Sequence, residues 1–130
     1  MILDRAKKAV GGGGRAMEFM FLMLDGEVIR DWSEEQQQEA AARMAAFKAP
    51  LAAAGRLKDS GGLGDDMEAV RVRAKSAGVA ATFGPFEDAT GIVGGYLVVE
   101  CASRDEAVEL AEHCPAAQWA PLEVRQLWRH

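Results

Sequence analysis

The chain has 130 residues, 49% of them hydrophobic and 27% charged, with a formal net charge of -5. That is enough for one domain with a real core and too little for two ordinary ones, in the composition range of soluble globular proteins. No run approaches the roughly 18 to 20 consecutive apolar residues that span a bilayer, and MILDRAKKAVGGGGRA has no apolar segment long enough for a signal peptide, so a cytoplasmic protein without membrane contact is expected.

The charge is uneven. Residues 1–16 hold Arg5, Lys7, Lys8 and Arg15 against Asp4, a local +3, which leaves -8 (-5 minus +3) for the rest. An acidic domain without a concentrated basic face is a poor polyanion binder, and nucleic acid is not an expected partner. The Gly11 to Gly14 run has no side chains to bury, so residues 1–16 read as a disordered extension and 17–130 as the domain. Met17 is the expected true start. The run is no phosphate loop, because it lacks the lysine, the hydroxyl and the preceding strand of that motif.

The first strand, Glu18 to Leu24, sets Phe19, Phe21 and Met23 on one face and Met20, Leu22 and Leu24 on the other. Both faces are apolar and both need cover, yet the chain has helices for one layer only. A partner subunit is therefore expected over the second face. Ser33 with Gln36 three residues on forms a capping-box pattern, and Ala40, Met44, Phe47, Leu51 and Ala54 then make one apolar helical stripe. Pro50 is expected to bend or end that helix, and Gly55 to cap it.

Leu57 to Gly64, with Ser60, Gly61, Gly62 and Gly64, reads as a glycine-rich edge strand, a mark of close backbone approach or of a bulge. Val70 and Val72 alternate with Arg71 and Arg73, as in a half-exposed strand, and AKSAG turns the chain into Val79 to Thr82. Gly84 and Pro85 stop that strand. A double-glycine strand through Tyr96 to Val99 follows, then a helix capped by Ser103 and buried through Ala107, Leu110, Ala111 and Cys114. Pro115 ends it, and Leu122 to Trp128 alternates as the closing strand. The order β-α-β, hairpin, β-α-β matches an α+β split βαβ fold with an extra β-hairpin.

The stretch GPF with acidic residues after it, GGY opening an apolar strand, SRDEAVELAEHCPAA and the final LEVRQLW together resemble the YCII-related family, in particular its DGPF-motif branch. The resemblance covers Met17 to Trp128. It implies a ferredoxin-like chain with an antiparallel sheet that pairs as a dimeric α/β barrel. The motif aspartate falls at Phe83, so the chain reads FGPF. Some members of the family pair a histidine with an aspartate; this chain has no histidine between Met17 and Glu112, and His113 and His130 read as structural or solvated.

The chemistry is expected near the GPF turn. Gly84 and Pro85 aim Phe86 toward a cavity, with Phe83, Ser60, Gly61 and Asp25 as the other ligand-binding candidates. The candidate acids are Asp25, Asp59, Glu87 and Asp88, and Asp25 or Asp88 is favoured if the protein is catalytic. Trp32 could lid the pocket. Arg71 and Arg73 fit a charged outer face better than a substrate clamp. Cys101 and Cys114 fit no metal spacing and belong at opposite ends of one helix, roughly 15 Å apart, too far for a disulfide. The expected protein is a homodimer that takes a small organic acid or aromatic ligand without cofactor or metal, with lyase- or isomerase-like chemistry as the enzymatic form. The alternative is a regulatory interaction module, since DGPF-like proteins resemble partners of extracytoplasmic-function sigma factors.

Overall fold

A computed structural model describes residues 17–25, 31–64, 69–84 and 92–129. In chain order they form β1 (Met17–Asp25), α1 (Glu34–Ala53), β2 (Leu57–Gly62), β3 (Val70–Lys75), β4 (Gly78–Phe83), β5 (Ile92–Cys101), α2 (Arg104–Glu112), a 3-10 turn (Pro115–Gln118) and β6 (Leu122–Leu127). The main sheet has the order β2-β5-β1-β6, every neighbour antiparallel. This is the ferredoxin-like arrangement of a split βαβ unit, with β3 and β4 inserted as a separate two-stranded hairpin.

β1 sits at the centre of the sheet, and its period of two divides its side chains between unlike environments. Phe19 and Phe21 are 1% and 0% exposed and join Leu51, Leu97, Val99, Cys101, Ala107 and Ala111 in the core beneath the helices. Met20, Leu22 and Leu24 face the other way and are half-buried. The two helices thus cover one sheet face.

Both helices begin where a side chain can satisfy their first amide groups. Ser33 Oγ accepts from the Gln36 amide at 3.1 Å and Gln36 Oε1 accepts from the Ser33 amide at 2.8 Å, a complete capping box. Ser103 Oγ accepts from the Glu106 amide, but the Glu106 carboxylate turns instead to Arg56. α1 does not end at Pro50 but continues to Ala53, as the stripe to Ala54 and the Gly55 cap imply. Position 50 is exposed and lies in the last turn, so the hydrogen bond that proline forfeits belongs to a solvated carbonyl. The helix ends at Gly55 in a Schellman motif: φ is +72° there, Gly55 donates to the Ala52 carbonyl, and Arg56 donates to that of Leu51.

The hairpin departs from a half-buried strand pair. Its register joins Val70 with Phe83, Val72 with Ala81 and Ala74 with Val79 on one face, and Arg71 with Thr82 and Arg73 with Ala80 on the other. Alternation predicts a buried valine face, yet Phe83 is 78% and Val79 72% exposed, because the two strands pair with each other and not with the main sheet.

Candidate functional site

The sheet face away from the helices carries two adjacent rows of side chains. One row runs Arg125, Met20, Val98, Asp59 from β6 to β2, and the next runs Glu123, Leu22, Tyr96, Gly61. An apolar stripe of Met20, Leu22 and Val98 is flanked by a charged edge on β6 and by a polar pair, Asp59 of β2 with Tyr96 of β5. Val98 is only 3% exposed although it lies outside the core cluster under the helices.

Asp59 reaches this face through an irregularity. Leu57 pairs with Val99 and Asp59 with Val98, so a bulge at Lys58 shifts the register by one residue. Without it Asp59 would fall in line with Leu97, on the helix side. The Tyr96 hydroxyl donates to Asp59 Oδ2 at 3.1 Å, and the Ser60 amide donates to Asp59 Oδ1 at 2.8 Å. Donating this bond to Asp59, and the negative charge of that carboxylate, raise the Tyr96 phenol above its ordinary pKa.

Glycines make room for the pair. A Cβ on Gly61 would lie 2.9 Å from Tyr96 Cε1, so the tyrosine ring needs residue 61 to be bare. A Cβ on Gly95 would meet the Gly61 carbonyl oxygen and Met23 Cε, each at 3.0 Å, which accounts for the second glycine of the GGY motif. The close approach expected of the Ser60 to Gly62 strand is therefore present.

The remaining candidates are placed as follows. Ser60 pairs with Leu97 and so shares the helix-side face, while Gly61 shares the open face with Tyr96. Asp25 closes β1 opposite Ile92, three residues beyond the Tyr96 partner Leu22, about 10 Å along the strand. Phe83 and Gly84 stand at the base of the hairpin, where the Gly84 amide donates to the Ala69 carbonyl at 2.7 Å. Pro85, Phe86, Glu87 and Asp88 lie outside the described residues. Trp32 packs edge-on against Trp119 at 5.4 Å, and Arg43 lies over the Trp119 ring, so Trp32 belongs to the junction of α1 with the 3-10 turn. His113 caps α2, with Nδ1 2.9 Å from the Glu109 carbonyl oxygen.

The cysteines offer little as nucleophiles. Cys101 and Cys114 are buried free thiols, and burial pushes both pKa values up, in Cys101 against the lowering effect of Arg56. Among the described residues no group of three His, Cys, Asp or Glu could hold a metal ion, and no helix is long and apolar enough to cross a membrane.

The family model for the YCII-related domain matches residues 17–130. The chain belongs to the YCII-related domain family. No curated protein matches it in sequence. Among solved structures it is similar to 5-chloro-2-hydroxyhydroquinone dehydrochlorinase from Burkholderia phenoliruptrix AC1100, solved in complex with 2,5-dihydroxybenzoquinone. The TM-score is 0.51 at 20% identity, over 88% of this chain and 95% of that one, which is a likeness of fold. In this YCII-related domain, then, the sheet face away from the helices carries an apolar stripe with the Asp59–Tyr96 pair at its edge.

Proposed function

We propose that this YCII-related domain binds a small organic ligand on the open sheet face, between two copies of the chain related by a two-fold axis. The observation that carries this reading is the stripe of Met20, Leu22 and Val98 ending at Asp59 and Tyr96. Such a surface combines apolar contact with a few placed polar groups, as small-molecule sites do. A protein of the same fold solved with 2,5-dihydroxybenzoquinone supports a ring-shaped ligand.

In the enzymatic form of this reading the reaction is cofactor-free proton transfer of the lyase or isomerase kind. In it Asp59 is the carboxylate that takes the proton, and Asp25, five residues along β1 from the level of Asp59, is the second candidate. A thermal-unfolding screen of phenols, small carboxylic acids and lactones tests the binding reading. A ligand at 100 times its Kd adds about 2.7 kcal/mol, a shift of several degrees at this size. A hit abolished by Leu22→Asp supports the reading; a hit that Leu22→Asp and Asp59→Ala both leave unchanged places binding elsewhere and removes it.

One observation favours a second reading, that of a regulatory interaction module. The hairpin face bearing Val70, Val72, Val79 and Phe83 is exposed, and the opposite face carries Arg71, Arg73 and Lys75. An acidic protein segment fits that combination, and a sigma factor is the expected kind of partner. Val72→Asp with Val79→Asp would abolish a protein interaction while leaving ligand shifts intact.

A further inference from the structure

The ligand class at the open face follows from counting donors and acceptors, and this step rests on the proposed ligand-binding reading. Asp59 Oδ1 is engaged by the Ser60 amide and Oδ2 by the Tyr96 hydroxyl. A carboxylate is acceptor-only and a phenol carries a single proton. Tyr96 has spent that proton on Asp59, and what the pair still offers to a ligand is lone pairs alone.

Among the described residues, the neighbouring cations of the same chain do not supply a donor to the pair. The Lys58 ammonium is 3.7 Å from Glu100 Oε1. Arg125 is on β6, three strand spacings from β2, about 14 Å away. The raised pKa of Tyr96 keeps its hydroxyl protonated and committed to Asp59 through the neutral range. Gly61 lets the ring lie in the one position from which its oxygen meets Asp59.

We infer that the Asp59–Tyr96 pair selects an uncharged ligand that brings hydroxyl donors on an apolar body, a hydroxylated ring being the simplest case, and turns away carboxylates. The apolar body rests on the half-buried Leu22 and Met20. A ring hydroxyl donates to the free lone pairs of Asp59 or of the Tyr96 oxygen. A carboxylate brings further lone pairs and negative charge to a site that already has both.

Isothermal titration of the full chain with four probes tests this: resorcinol, 1,3-dimethoxybenzene, benzoate and benzylamine. A hydrogen bond to a charged acceptor is worth about tenfold or more in affinity, so resorcinol should bind about tenfold tighter than 1,3-dimethoxybenzene or benzoate. Asp59→Ala frees the Tyr96 proton and removes the charge; residue 59 is exposed, and circular dichroism should confirm an intact fold. In that variant the preference should shrink to about twofold. Tyr96→Phe, which leaves Asp59 open, should keep the preference for resorcinol. If no probe binds, the ligand site itself is removed and this inference with it. If 1,3-dimethoxybenzene or benzoate binds as tightly as resorcinol, the site stands and the donor class is overturned. Benzylamine bound in place of resorcinol would overturn the uncharged hydroxyl class in favour of a cation.

Discussion

The ring of Tyr96 lies against the bare Cα of Gly61, so near that a methyl group on residue 61 would come within 3.1 Å of the tyrosine hydroxyl oxygen. Gly61→Ala should therefore push the ring away and break its bond to Asp59. Tyr96 is the only tyrosine of the sequence, and tyrosinate absorbance reads its titration directly. In the wild type it should ionise above the ordinary value of about 10. Asp59→Asn removes the charge and Gly61→Ala the contact, and both should bring it back toward that value.

The same titration fixes the sign of a pH effect. The folded state holds the Tyr96 proton more tightly than the unfolded chain does. The stability this contributes is complete below a pH of about 10 and is lost as pH rises through the folded value. Thermal unfolding should show the wild type losing more stability than Asp59→Asn above that pH, so that the two approach each other; equal losses in both would contradict the contact.

Gly55 and Arg56 join the end of α1 to β5 and α2. Gly55→Ala forces a side chain into a φ of +72°, at a cost of about 1 to 2 kcal/mol by urea unfolding. The Arg56 guanidinium donates to the Glu100 carbonyl at 3.1 Å and to Glu106 Oε1 at 2.7 Å. Both partners are partly solvated, so Arg56→Ala should cost about 1 kcal/mol. Arg56→Lys should recover only part of it, since an ammonium cannot match the planar fork.

Neighbouring residues of β1 should respond differently. Phe21→Ala opens a cavity under the helices and should cost about 3 to 5 kcal/mol. Leu22→Asp is on the side away from the helices and should leave the circular dichroism spectrum intact; on the proposed pairing through this face, it should also shift the sedimentation equilibrium toward monomer. A dimer that tolerates Leu22→Asp places the partner subunit on another surface.

Much of this fold was legible in the sequence because local signals and the hydrophobic period agree. Ser33 with Gln36, Gly55, and the stripe from Met44 to Leu51 each name their own structure, and the two apolar faces of β1 already implied a sheet covered once. Pro50 does not end the helix, because proline costs little in an exposed last turn. The valines of β3 misled because alternation reports amphipathicity and not which face is covered. The Asp59–Tyr96 pair was hidden for two reasons: the residues are 37 positions apart, and plain alternation from Leu57 puts Asp59 on the wrong side. The bulge at Lys58 reverses that parity, and the glycines at 61 and 62 were its only signal.

Amide chemical-shift mapping of the isotope-labelled chain during a resorcinol titration tests the site most directly. The account predicts saturable shifts at residues 59–61 of β2, 95–98 of β5 and 20–22 of β1, with the hairpin at 70–83 unmoved. Shifts confined to the hairpin, or none at saturating resorcinol, would contradict a ligand site on the open face.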